Sequence, residues 1–190
     1  MTGTTFDGER RRPAAVLTRR WPTALAVGLS VLIMGGGSGG AVGSFGEVLL
    51  LLPLLYLIVT HLGRPRMSWP VLVVATAALV VFRVLDVVAP SVVLVGVALV
   101  LLVWGTVTGT PHGRAVFGVQ AVGMLVFGAL ALAGLAVDPD LGRYLVAAGW
   151  LGHGAWDFVH LRLDKVMSRT YAEWCGVLDV LIVAGLLFLA

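Results

Sequence analysis

Charge and cysteine are both scarce in this 190-residue sequence. Only 12% of the residues are Asp, Glu, Lys or Arg, against roughly 25% in an ordinary soluble domain. Apolar residues make up 59%, and the mean hydropathy is +1.00. So little charge cannot cover a soluble surface. A soluble globular enzyme, a disordered chain and a nucleic-acid binder are therefore excluded, despite an isoelectric point near 9.6. The single cysteine, Cys175, excludes a disulfide framework and a multi-cysteine zinc site. The sequence also lacks GxSxG, HExxH, a Walker A loop and a dinucleotide fingerprint. Segments alternating apolar and polar residues over a barrel-strand length are missing too. The run Gly35-Gly36-Gly37-Ser38-Gly39-Gly40 has no lysine and no preceding strand, so it is not a phosphate loop. No lysine falls in the last apolar segment, which leaves a retinal Schiff base unsupported.

What is present is long apolar runs. Crossing a hydrocarbon core of about 30 Å takes about 20 apolar residues. The sequence offers seven candidate spans, 22–42, 45–62, 70–89, 91–108, 115–137, 142–162 and 171–190. The expected fold is all-α: a polytopic membrane bundle of seven transmembrane helices. A basic tail, 1–20, near anionic headgroups precedes a single domain, 21–190. Pro22 and Pro70 suit a first helical turn. Ser44-x-x-Glu47 and Thr170-x-x-Glu173 read as capping boxes. Ala89-Pro90-Ser91, Gly109-Thr110-Pro111 and Asp138-Pro139-Asp140 read as turns. The first segment is the least regular. Its basic start, short apolar run and small residues also describe a signal peptide, and the glycines permit a re-entrant break.

Basic residues set the orientation. Arg10, Arg11, Arg12, Arg19, Arg20, Arg64, Arg66, Arg114, Arg162, Lys165 and Arg169 all fall on one side of a seven-span chain. That side is the cytoplasmic one, so the N-terminus is inside and the C-terminus outside. A short motif order recurs: His61-Leu62, Met67-Ser68 and Val84-Leu85-Asp86-Val87, then His160-Leu161, Met167-Ser168 and Val177-Leu178-Asp179-Val180. An offset of four helices keeps both copies in one orientation, as in a parallel 3-1-3 repeat with 91–108 as the connector.

An ionisable group at the bilayer centre costs roughly 2.5–3.5 kcal/mol on insertion scales, so each one needs a reason. The densest cluster is Gly152-His153-Gly154-Ala155-Trp156-Asp157-Phe158-Val159-His160. At about 100° per residue, His153, Asp157 and His160 share one stripe about 60° wide. His153 lies about 13 Å from the inner edge of its span and Asp179 about 12 Å from that of the next, so the two are at one depth. His153, Asp157 and Asp179 are the candidate catalytic residues. Cys175 lies one turn nearer the cytoplasm than Asp179. His153 and His160 are about 10.5 Å apart along the axis, too far for one metal at ligand distances near 2.1 Å. The stripe could instead serve one divalent metal ion through Asp157 and either histidine, or form a string of proton sites; Asp157, His160 and His61, the two histidines near the inner face, are the candidate metal ligands. The alternative is that the His–Asp pair only fastens two helices. Arg83 with Asp86, or with Glu47 of the preceding span, makes an ion pair toward the outside. Trp21, Trp69 and Trp174 read as interface anchors, His112 as a solvated loop residue, and Glu173 as a cap.

The stretch 152–160, followed by Tyr171-Ala172-Glu173-Trp174-Cys175 and Asp179, resembles a group of small bacterial multi-pass membrane proteins of uncharacterised activity. Those carry a His-x-x-Trp-Asp-x-x-His stretch and a Cys- and Asp-bearing last helix. Twelve arginines to one lysine, with abundant Ala, Gly, Val and Leu, look actinobacterial. The seven-span size and acidic last helix also look like membrane-bound terpene cyclases. That likeness implies a Glu47–Asp179 acidic pair, with Gly46 standing where that family has Trp.

The function expected is an intramembrane enzyme acting on a lipid- or isoprenoid-like substrate in a bacterial plasma membrane, by acid–base or metal-assisted chemistry. A small transporter or proton-coupled carrier is the second reading and a non-catalytic scaffold the third. The expected partners are the bilayer, a lipophilic small molecule and, as an open possibility, further copies of the chain; nucleic acid is not among them.

Overall fold

A computed structural model describes residues 20–36 and 41–188, Ala41 by its backbone only. The tail up to residue 19, residues 37–40 of the glycine run and positions 189–190 lie outside the described residues. Among the described residues there are seven helices and no strand. They are α1 (Trp21–Gly35), α2 (Ala41–Leu62), α3 (Ser68–Leu85), α4 (Pro90–Thr108), α5 (Arg114–Ala136), α6 (Pro139–Leu163) and α7 (Arg169–Phe188). A 3-10 turn, Pro65–Met67, leads into α3. Proline occupies the first turn of α1, α4 and α6, where its missing N–H breaks no helical bond. Asp138 caps α6 by accepting from the Leu141 N–H at 3.0 Å. Asp86 and Asp164 end α3 and α6 in the left-handed region, at φ 48° and 49°. Their N–H groups return to the Phe82 and His160 carbonyls.

Five helices, α2, α3, α4, α5 and α7, are long and apolar enough to cross a membrane. α6 has 25 residues, but its polar stripe lowers its hydropathy. α1 has 15 residues and so spans only about 22 Å, short of a full crossing. This corrects the 22–42 span: the helix stops at Gly35. α2 in turn begins at Ala41, so Ser44 lies inside it and caps nothing. α3 ends at Leu85 rather than 89, which puts Asp86 in a terminal turn and not beside Arg83. Arg83 instead bonds Glu47 Oε2 through Nε and Nη2, at 2.8 and 2.6 Å, and Ser44 Oγ at 2.8 Å.

α2 is the axis of the bundle and packs on α3, α4, α5 and α6. Leu49, Leu50, Leu55 and Leu57 are fully buried along it. α6 lies between α5 and α7. Burial reaches 61% of the apolar window in α2 and α7 but only 11% in α3 and α4. The outward faces of α3 and α4 carry exposed Val73, Val74, Val100, Val103 and Val107. Such apolar cover suits lipid rather than water. α1 packs along α7, so the packing does not repeat as two equivalent triplets.

The segments bearing Arg64, Arg66, Arg114, Arg162, Lys165 and Arg169, loops and adjoining helix ends, come together at one end of the bundle. There Ser68 Oγ accepts from the Ser168 N–H at 3.1 Å, and Trp69 Nε1 donates to Thr170 Oγ1 at 3.0 Å. His112 is not merely solvated: its ring nitrogens lie 3.4 Å from the Thr60 carbonyl and 3.1 Å from that of Lys165. Trp21, Trp69 and Trp174 stack in series, with centroids 5.4 and 5.3 Å apart. Glu173 is no cap either. Its Oε1 accepts from Thr23 Oγ1 at 2.6 Å and from Arg20 at 3.3 Å, which ties α1 to α7.

Glu173→Ala should lower stability by about 1–2 kcal/mol, mostly through the Thr23 bond, since exposed pairs like that with Arg20 contribute about 0–1 kcal/mol. Glu173→Gln keeps an acceptor and should cost less. Thermal unfolding of the two variants in detergent measures this; equal loss in both would assign the effect to charge instead.

Candidate functional site

The polar centre sits where α6 and α7 touch. Gly154 and Gly176 permit the approach: a Cβ on Gly154 would lie 3.0 Å from the Asp179 Cβ, and one on Gly176 would lie 3.2 Å from the Asp157 Cβ. Each helix thus rests its aspartate stem on the other's glycine. His153 Nδ1 lies 2.8 Å from Asp179 Oδ2 and 3.3 Å from Asp157 Oδ2. One ring N–H therefore faces two carboxylates. On the far side of Asp157, the Tyr56 hydroxyl of α2 donates to Oδ1. Cys175, one turn before Asp179, places Sγ 3.9 Å from Asp179 Oδ1 and 3.9 Å from the Tyr171 hydroxyl. His153, Asp157, Cys175 and Asp179 have no accessible surface. One potential ligand atom from each of the four lies within 4.8 Å of the others.

Sequence geometry and structure coincide on His153, Asp157 and Asp179. They diverge on the inner residues. His160 Nδ1 bonds its own helix at the Trp156 carbonyl, 3.0 Å away, which leaves Nε2 to accept from Gln120 Nε2 at 2.9 Å. His61 Nδ1 bonds the Leu57 carbonyl at 2.9 Å, and its Nε2 is buried between the rings of Trp104 and Phe117 without a partner. Neither histidine joins the group of four around Asp157. Glu47 is held by Arg83 at the opposite end of α2 from His61.

Tyr56 is the site residue that span geometry did not single out. It was legible only as the lone tyrosine within the uncharged run 48–60. Trp150 is buried and donates Nε1 to the Phe45 carbonyl at 3.1 Å, which fixes α6 against the start of α2. Around the site, His153 meets Tyr56 and Phe127 edge-on, at centroid distances of 5.7 and 5.4 Å.

No family model, curated protein or solved structure matches this chain. Its chemistry is therefore read from the site alone. A hydroxyl, two carboxylates, an imidazole and a thiol in contact can hold and pass a proton, or present N, O and S donors to a cation. With both carboxyls ionised and His153 protonated, the group would carry one uncompensated negative charge in an apolar interior. A further proton or a bound cation would balance it.

Tyr56→Phe would remove the donor to Asp157 Oδ1 and should destabilise the chain by about 1–3 kcal/mol, the cost of a buried acceptor left unmade. Tyr171→Phe should cost less, because its contact with Cys175 is long. Chemical or thermal unfolding of both variants checks the order; a larger loss for Tyr171→Phe would reverse the importance assigned to the two hydroxyls.

Proposed function

We propose that this chain is an integral membrane enzyme acting on a lipophilic substrate, with His153, Asp157 and Asp179 as its acid–base groups and Tyr56 as the residue that positions Asp157. The observation that carries this reading is the unbroken contact Tyr56–Asp157–His153–Asp179 inside an otherwise apolar bundle. Replacing buried ionic groups by apolar ones is often neutral or stabilising. Helix fastening alone is therefore a poor reason to keep three of them at membrane depth. Intramembrane ionisable groups most often mark a site of work.

The carrier reading draws on the parallel repeat and on the glycine-rich first segment, of which residues 37–40 lie outside the described residues. The second Val-Leu-Asp-Val copy puts Asp179 in the buried centre, whereas the first puts Asp86 in a left-handed terminal turn. α1 also lies on α7, where a repeat would pair it with α2 as α5 pairs with α6. Those differences favour the enzyme. In the proposed chemistry a neutral His153 imidazole accepts a proton from the substrate at Nε2, the ring nitrogen without a partner, while the two carboxylates at Nδ1 stabilise the imidazolium formed. General acid–base catalysis of this kind contributes about 10²–10⁴-fold.

The test is to express the full chain in a bacterial membrane beside Asp179→Asn at equal abundance, then profile membrane lipids and isoprenoids. At least one species should change with the wild type and revert with Asp179→Asn, because the amide keeps the shape and loses the basic group. Identical profiles, together with pH-gradient-driven uptake in proteoliposomes, would replace the enzyme by the carrier.

A further inference from the structure

The four donors at the α6–α7 contact form two pairs, each spaced one helical turn apart: His153 with Asp157 on α6, and Cys175 with Asp179 on α7. Two such pairs on facing helices are a means by which helical bundles build metal centres. We propose that His153, Asp157, Cys175 and Asp179 bind one divalent transition-metal ion, zinc foremost. This rests on the reading of the same residues as a working site and names the cofactor they would hold.

Three observations carry it. The donor atoms already lie within 4.8 Å of one another without an ion between them, so modest side-chain shifts separate the present arrangement from a four-coordinate shell with bonds of about 2.0–2.3 Å. Asp157 Oδ2 faces into the cluster, fully buried, with no hydrogen-bond partner. The supporting contacts are those that ligands need. Tyr56 holds Asp157 through the other oxygen, Oδ1, and leaves Oδ2 with only the 3.3 Å approach of His153 Nδ1. The Tyr171 hydroxyl stands 3.9 Å from Cys175 Sγ, positioned to donate to a thiolate.

The donor chemistry narrows the ion. One imidazole and one sulfur disfavour magnesium and calcium, which take oxygen shells, and suit zinc and its neighbours. With the thiol ionised the four ligands sum to −3, and a divalent ion reduces this to −1. His61 and His160 are not needed, since each already bonds its own helix.

The experiment uses the full chain purified in detergent. Metal content is measured by elemental analysis, and cobalt(II) is titrated into chelator-stripped protein. The wild type should hold about one zinc ion per chain. With cobalt it should show both the visible bands of a tetrahedral site and a near-ultraviolet thiolate charge-transfer band. Cys175→Ala, a small change at a buried position, should lose the thiolate band and fall to background zinc, as should Asp179→Asn. Tyr56→Phe should weaken zinc binding about 10–100-fold while the bands remain. His61→Gln should bind as the wild type does.

Zinc at background in the folded wild type, or equal in all variants, would overturn the site. Cobalt bands without thiolate character would overturn this ligand set. Loss of zinc binding in His61→Gln alone would move the metal to the inner face. Bound zinc with unchanged lipid profiles would leave the metal site standing and remove the enzyme reading. Substrate turnover by zinc-free protein would do the reverse.

Discussion

The close contact between α6 and α7 is the constraint from which the rest follows. Asp179 and Asp157 reach one imidazole only because Gly154 and Gly176 let each aspartate stem lie on the opposite backbone. Once two carboxylates converge in an apolar interior, their remaining acceptors must be answered, because an unpaired buried polar group costs several times what a made hydrogen bond returns. Tyr56 answers one of them, and this gives α2 a polar reason, besides its leucines, to lie against α6. Trp150 closes the other end of the same interface through the Phe45 carbonyl.

Much of this centre was legible because a helix is rigid. A fixed rotation and rise per residue place His153 and Asp157 on one stripe, and equal depths bring Asp179 beside them. Tyr56 was not legible in that way. Its register against α6 depends on packing between helices that are not neighbours in sequence, and no period within α2 encodes that. The inner histidines misled for a related reason. Spacing shows which side chains share a face, but not that His160 and His61 each spend a ring nitrogen on a carbonyl of their own helix.

The two capping-box readings failed by competition. Ser44 and Glu47 match the pattern, but the helix begins upstream and both side chains serve Arg83. Thr170 and Glu173 match it too, yet Thr170 accepts from Trp69 and Glu173 from Thr23. In each case a partner distant in sequence took the group that a local motif would have used. The repeat was half informative. His61 and His160 have the same bond to the carbonyl four residues earlier, and Ser68 touches both Met167 and Ser168. The likeness stops where the packing differs: α6 and α7 are drawn tight by glycine, while α3 stays peripheral and ends before its aspartate can enter the core.

Enzyme and metal readings share one electrostatic requirement. Taking charged groups out of water costs several kcal/mol each, and the same low dielectric strengthens every attraction among them. A sealed cluster with a net negative charge is therefore strongly drawn to any positive occupant, whether a proton or a divalent ion. Water leaking in would weaken that attraction. The cover beside His153 is aromatic, with Phe127 of α5 edge-on to the imidazole and the half-buried Trp156 of α6 edge-on to Phe127. Those rings hydrogen-bond to nothing in the cluster, so they exclude water without offering a competing donor.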